Sequence, residues 1–274
     1  MSVDRTGLSQ LVGDPGSFRE HHWGALPFEY RSDLFQEMNL EEVIWDEIDC
    51  GFLAKPFVAL SPDVPDAWVT RIVQNTPCEG YLHPDHARVA LKSGSAMIFP
   101  QSELWSVDVA HLLDEIREDF AFSVSATFVA VPAGSKDFDL GHVSGIGASE
   151  HVFALTTDAS LRLSITPPKH VQMRDEALSG TGESGTVYYV PPGWSLRMDQ
   201  DAPSAVLVIR LSEPTPQQCA EIGLAMFLSQ IDDDIAGSHH RMTADEKLNW
   251  LRTSLPDFFS GLSTREILAH LASS

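Results

Sequence analysis

Positive charge is scarce in this chain: 18 lysines and arginines stand against 39 aspartates and glutamates in 274 residues, a formal net charge of −21 at pH 7. Binding to nucleic acid depends on cations that neutralise phosphates. No basic run occurs anywhere in the chain, so neither a nucleic acid nor an anionic membrane is expected as a partner. A surface this acidic favours a basic peptide, protein or amine instead. Cysteine is scarce as well. Cys50, Cys78 and Cys219 lie far apart without a Cys-x-x-Cys, which argues against a disulfide framework and fits a reducing cytoplasm. No apolar run approaches the roughly 18 residues that span a bilayer. The opening MSVDRTGLSQLVGDPGS has no apolar stretch of the secretory kind, and a cytoplasmic location is expected. There is no Gly-x-Ser-x-Gly elbow, no cysteine-centred nucleophile pattern and no internal repeat, so a hydrolase and a solenoid lack support.

What is present is enough for a substantial core: 43% of the residues are hydrophobic, in a length that suits one large domain or one domain with a helical appendage. The first 17 residues are polar, rich in glycine and serine, and are expected to be poorly ordered in part. Asp33 to Met38 reads as a short helix capped by Asp33, and a helical stretch is expected around Trp68 to Val73 after the Pro62 and Pro65 loop. Gly94 to Pro100 reads as a strand. Ser106 to Phe120 places Val109, Leu112, Leu113 and Ile116 near a 3.6-residue period and predicts a helix. Short β-type runs then follow: Phe122 to Val131, Val152 to Thr156, Leu161 to Ile165, Gly185 to Val190, Ser195 to Met198 and Ala205 to Leu211. Glycine and proline separate them, which points to a sandwich or jelly roll and not to a parallel α/β sheet. After Pro214 the composition turns helical, with helices over Pro216 to Gln230, from Thr243 (Glu246 completing a capping box) to about Leu251, and from Ser263 or Thr264 onward.

Four stretches carry a family likeness: Phe18-Arg19-Glu20-His21-His22-Trp23 with Pro27, Phe138-Asp139-Leu140-Gly141-His142-Val143-Ser144, His151-Val152-Phe153-Ala154-Leu155, and Tyr188-Tyr189-Val190-Pro191-Pro192-Gly193-Trp194-Ser195-Leu196. Their order resembles the JmjC/cupin-like oxygenases of the ribosomal-oxygenase type over roughly residues 18 to 212. The resemblance implies a mainly β fold with flanking helices, a double-stranded β-helix (cupin/JmjC jelly roll) plus C-terminal helices. The domains it suggests are a flexible N-terminus at 1–17, a JmjC/cupin-like domain at 18–212 and a C-terminal helical segment at 213–274.

In that family a facial triad of two histidines and one carboxylate holds iron(II) and leaves open positions for 2-oxoglutarate and dioxygen. His142 matches the first histidine. Ser144 stands where the carboxylate belongs, and Leu196 stands where the second histidine belongs. Leu161 takes the place of the lysine that pairs with 2-oxoglutarate, with Arg162 beside it. The resemblance therefore implies a barrel without the usual iron, whose inner face near His142, Ser144, His151, Arg162, Trp194 and Leu196 forms a pocket. The protein is read as a non-catalytic binding or accessory protein, with a peptide, protein or small molecule as partner and peptide or natural-product modification as a setting. The alternative is an active iron(II)- and 2-oxoglutarate-dependent hydroxylase that uses His142, His151 and a carboxylate such as Glu150 or Asp139. A homodimer through the C-terminal helices is expected, because Leu224, Met226, Phe227, Leu248, Trp250, Leu251, Phe258 and Phe259 are more apolar surface than a short appendage buries alone.

The remaining clusters have plainer interpretations. His83-Pro84-Asp85-His86 reads as a surface turn, and the adjacent pairs His21-His22 and His239-His240 as surface residues. Ser179 to Gly185 has the glycine content of a phosphate loop without its lysine, and reads as a flexible hairpin loop.

Overall fold

The computed structural model describes residues 7–32, 45–46, 48–51, 53–104, 106–120, 122–156, 161–168, 177–182, 185–202, 204–229, 242–263 and 266–267. It divides into two units, Met1–Asp119 with Val124–Ser212, and Phe120–Ser123 with Glu213–Ser274. The strands of the first unit are β1 (Phe28–Arg31), β2 (Ala59–Ser61), β3 (Trp68–Val73), β4 (Thr76–Leu82), β5 (Ala96–Pro100), β6 (Ser123–Val131), β7 (Phe138–Asp139), β8 (His151–Thr156), β9 (Leu161–Thr166), β10 (Leu178–Gly182), β11 (Thr186–Val190), β12 (Ser195–Asp199) and β13 (Ser204–Ser212). They form a seven-stranded sheet in the order β1-β11-β8-β13-β6-β5-β2, a four-stranded sheet β10-β9-β12-β7, and a separate β3-β4 hairpin. This is the jelly-roll arrangement of mainly antiparallel strands with flanking helices that the strand series implied.

Side-chain parity explains how the layers assemble, because successive residues of a strand point to opposite faces. In β9 and β12 apolar and polar residues alternate. Leu161, Leu163, Ile165, Leu196 and Met198 face inward at no more than 2% exposure, and Arg162, Arg197 and Asp199 face outward. In β8, β11 and β13 the apolar run is nearly continuous, and every residue of β8 and β11 is buried. A strand of this composition has both faces covered. Val152, Ala154, Tyr188, Val190, Val206 and Val208 meet the four-stranded sheet in one core. Removing each large apolar side chain from water contributes about 1.5–3 kcal/mol.

The opposite face of the large sheet is covered by the N-terminal segment. Two helices, α1 (Gly7–Val12) and α2 (Pro15–His21), occupy what the composition suggested to be a partly disordered start. Leu8 and Leu11 are fully buried, and Phe18 is 1% exposed. Asp14 accepts from Gly16 N and Ser17 N with Pro15 in the first turn, so α2 begins on a strong cap. The Phe18 ring meets Tyr189 at 4.9 Å, Phe28 at 5.5 Å and Phe153 at 5.9 Å. His22, expected at the surface, packs over Phe28 at 4.6 Å.

Other local expectations change for identifiable reasons. Trp68 to Val73 is a strand and not a helix, because Gln74 and Asn75 both adopt positive φ (49° and 62°) and turn the chain straight back into β4. His83-Pro84-Asp85-His86 opens a helix, α3 (Pro84–Lys92), with Pro84 in its first turn. The two rings lie 4.4 Å apart, and His86 Nδ1 donates to the Asp66 carbonyl at 2.6 Å. Leu178 to Gly182 pairs with β9, so this stretch is a strand and not a loop. The predicted helix at Ser106 to Phe120 is α4 (Val107–Asp119), and a one-turn helix, α5 (Leu140–Val143), follows β7.

In the second unit α6 (Pro216–Ser229) and α7 (Ala244–Gly261) bring Phe227 within 5.5 Å of both Trp250 and Phe258. The Thr243–Glu246 capping box opens α7, and the helix runs on through Pro256, past the expected end near Leu251. The expected helix at Asp33–Met38, the pair His239-His240 and all but two residues of the helix after Ser263 lie outside the described residues. No helix of the described residues is long and apolar enough to cross a membrane.

Candidate functional site

A cavity of about 240 Å³ opens beside the turn that joins β11 to β12. Pro191-Pro192-Gly193-Trp194 forms a type II turn in which Trp194 N donates to the Pro191 carbonyl at 3.2 Å. Gly193 sits in its third position at φ +81°, where a side chain would be strained. The turn sets Trp194 half-buried against the inter-sheet core, as one wall of the cavity. Val152, Val190 and Leu196, none more than 2% exposed, supply an apolar floor to which Ile146 adds.

The rim is polar and negative. Asp139 caps α5, its Oδ1 accepting from His142 N at 2.9 Å. This cap holds His142 exposed at the cavity edge. Glu150 is fixed at both oxygens: Oε2 accepts from Gly147 N at 2.7 Å and Oε1 from Ser212 Oγ at 2.7 Å. Arg197 approaches Asp139 from the outer face at 3.7 Å and also pairs with Asp137.

Of the six residues expected to share a pocket, His142, Trp194 and Leu196 line this cavity, and three do not. Ser144 is buried at the end of α5, where its hydroxyl donates to the Leu140 carbonyl. Arg162 projects outward from β9, because Leu161 and Leu163 take the inner face and parity leaves it the solvent side. His151 precedes the cavity residue Val152 and therefore points to the other side of the large sheet. There it stacks on Trp23 with centroids 3.9 Å apart and planes at 6°, and its Nδ1 meets the Tyr189 hydroxyl at 2.8 Å. The Tyr189 hydroxyl also accepts from Gly24 N at 2.8 Å. Burial pushes His151 down to about 4. Asp139 and Glu150 were visible in the sequence as alternative ligands. The Gly145–Ala148 loop gave no motif, and the pairing of Trp23 with His151 joins residues too far apart in the chain to be anticipated.

These residues do not fit an iron(II) site of the facial-triad type. Leu196 brings an aliphatic side chain to the cavity floor, the Ser144 hydroxyl is committed to a carbonyl, and the sheet separates His151 from His142. Among the described residues no three of His, Cys, Asp and Glu come together as a metal site. Among the described residues the lining contains no lysine or arginine to clamp 2-oxoglutarate, and Arg162 faces solvent.

No family model matches the chain. No curated protein matches it in sequence. In fold it is similar to YcfD, a ribosomal oxygenase from Escherichia coli. Against YcfD in complex with cobalt and 2-oxoglutarate, the TM-score is 0.58 at 12% identity, over 93% of this chain and 69% of that one. With cobalt and succinic acid the figures are 0.54 and 13%, over 94% and 69%. A further YcfD structure gives 0.53 and 14%, over 81% and 57%. The chain thus spans between 57% and 69% of the length of these three structures. At this level of identity the likeness establishes a shared fold, the JmjC/cupin-type jelly roll that the sequence motifs implied.

Proposed function

We propose that this chain is a binding or accessory protein built on a JmjC/cupin-type barrel that assembles no iron site, and that it acts in the cytoplasm in the modification of a peptide or small natural product. The observation that carries this is the cavity itself. It has an aromatic wall at Trp194 and Leu196 in its apolar floor, and Leu196 and the buried Ser144 stand where the sequence resemblance places metal ligands. A hydroxylase with non-standard ligands is the competing function, and one experiment separates the two. Protein purified without oxygen and loaded with iron(II) is expected to retain far less than one iron per chain and to form no succinate from 2-oxoglutarate. Stoichiometric iron together with succinate would establish the hydroxylase instead.

The homodimer through the second unit belongs to the same proposal. Leu224, Leu228, Leu248 and Phe259 are 38–54% exposed on α6 and α7, and large apolar patches are uncommon on monomers. Light scattering at tens of micromolar is expected to report twice the 30.1 kDa chain mass. Truncation after Pro214 should halve it; a truncated chain that still dimerises would place the interface elsewhere.

A further inference from the structure

We infer that the cavity between Trp194 and Glu150 selects a small molecule that joins an apolar body to a single cationic nitrogen, and that it rejects carboxylates. This rests on the binding function proposed above and assigns the chemical class of its ligand. Three features of the lining converge on it. The floor of Val152, Val190 and Leu196 offers only hydrocarbon and suits a short aliphatic or aromatic body. The rim carries the carboxylates of Asp139 and Glu150. Glu150 makes no ion pair among the described residues, and its two oxygens accept hydrogen bonds from the neutral groups of Gly147 and Ser212. Trp194 supplies the third feature, an indole wall, which is the best aromatic partner for a cation.

An anion finds less to hold. Among the described residues no lysine or arginine lines the cavity, and His142 at its edge is the one basic side chain there. Four of the backbone amides around it are already donated: His142 N to Asp139, Ile146 N to the Gly141 carbonyl, Gly147 N to Glu150 and Trp194 N to the Pro191 carbonyl. A volume of about 240 Å³ is below the roughly 300 Å³ at which ligand pockets usually begin, which limits the ligand to the size of a simple arylalkylamine.

The test uses the full-length protein and four probes in ligand-observed NMR titrations at about 0.15 M salt: 2-phenylethylammonium, its neutral analogue 2-phenylethanol, phenylacetate and 2-oxoglutarate. The ammonium compound is expected to bind about tenfold more tightly than the alcohol, the ratio that one partly desolvated charge contact of about 1.4 kcal/mol provides. Neither acid should displace it. Glu150→Gln should bring the ratio towards one, and Trp194→Leu should weaken the ammonium compound more than the alcohol. Asp139→Asn, which can still cap α5, removes the other rim carboxylate and should lower the ratio if the first variant does not fold as judged by circular dichroism. Asp245→Asn, in the second unit, controls for the general negative field and should leave the ratio unchanged. The inference is overturned if ammonium and alcohol bind within about twofold of each other, if either acid binds as well, or if no probe binds at millimolar concentration. Those outcomes, in a chain that also takes up no iron, would defeat the amine assignment and leave the iron-free barrel standing. Stoichiometric iron with succinate formation would defeat the barrel proposal whatever the amine does.

Discussion

Restoring the ligand residues is expected to break the barrel before it builds an iron centre. In a Leu196→His/Ser144→Asp double variant the family pattern would be complete on paper. Leu196, however, is 1% exposed and sits cross-strand from Ile165, within the core shared with Val190 and Met198. Replacing it by an imidazole forfeits about 2–3 kcal/mol of apolar packing and leaves a polar ring with a further cost of about 1–3 kcal/mol. Ser144 is 5% exposed with its hydroxyl spent on the Leu140 carbonyl. An aspartate there would set a carboxylate against that oxygen without a donor, at several kcal/mol. The double variant should therefore lose about 5 kcal/mol or more. Leu196→Met, which conserves volume, should cost less than about 1.5 kcal/mol. Urea unfolding with a metal titration reads both quantities. A double variant as stable as the parent that binds one iron per chain would show that the site is poised for metal and not closed.

This expectation depends on parity, and parity is where the sequence was most legible. The alternation of Leu161, Arg162, Leu163, Ser164 and Ile165 marks a strand with one wet face. The unbroken apolar runs of β8 and β11 mark strands covered on both sides. Those patterns delivered the jelly roll, and counted residue by residue they also place Arg162 outside and His151 away from Val152. Motif matching alone put both into one pocket because it compares positions along the chain and ignores the face to which each points. The hairpin at Trp68–Leu82 failed differently. Its turn uses Gln74 and Asn75 at positive φ in place of the usual Asn-Gly, so the short-range signal was missing. The order of the N-terminal helices was invisible for a third reason. Their stability comes from Phe18 and Leu11 docking onto a remote sheet, and composition does not register such a contact.

That docking surface has a titratable centre, and the stability of the protein is expected to depend on pH through it. His151 is 5% exposed, stacked on Trp23, and its Nδ1 lies 2.8 Å from the Tyr189 hydroxyl that in turn accepts from Gly24 N. Protonating the ring would place a charge in a nearly dry aromatic cluster. This favours the neutral ring, which burial holds at about 4 instead of the ordinary 6.5. Between these values the unfolded chain binds a proton that the folded chain refuses, so stability rises with pH across the window. The contribution is fully present above about pH 6.5. It falls as the pH drops towards 4 and amounts to about 3 kcal/mol over that span. Other groups add their own pH dependence, so the measurement is a difference between two proteins. His151→Phe keeps the stack on Trp23 but removes the hydrogen bond to the Tyr189 hydroxyl, which costs about 0.5–1.5 kcal/mol at pH 7. Adding Tyr189→Phe removes the hydroxyl as well. Urea unfolding of the parent and the double variant, from pH 7 down to pH 4, should show the parent losing about 3 kcal/mol more than the variant. Parallel pH profiles would mean that His151 can be protonated in place, and that the N-terminal helices dock on the barrel without depending on its neutral ring.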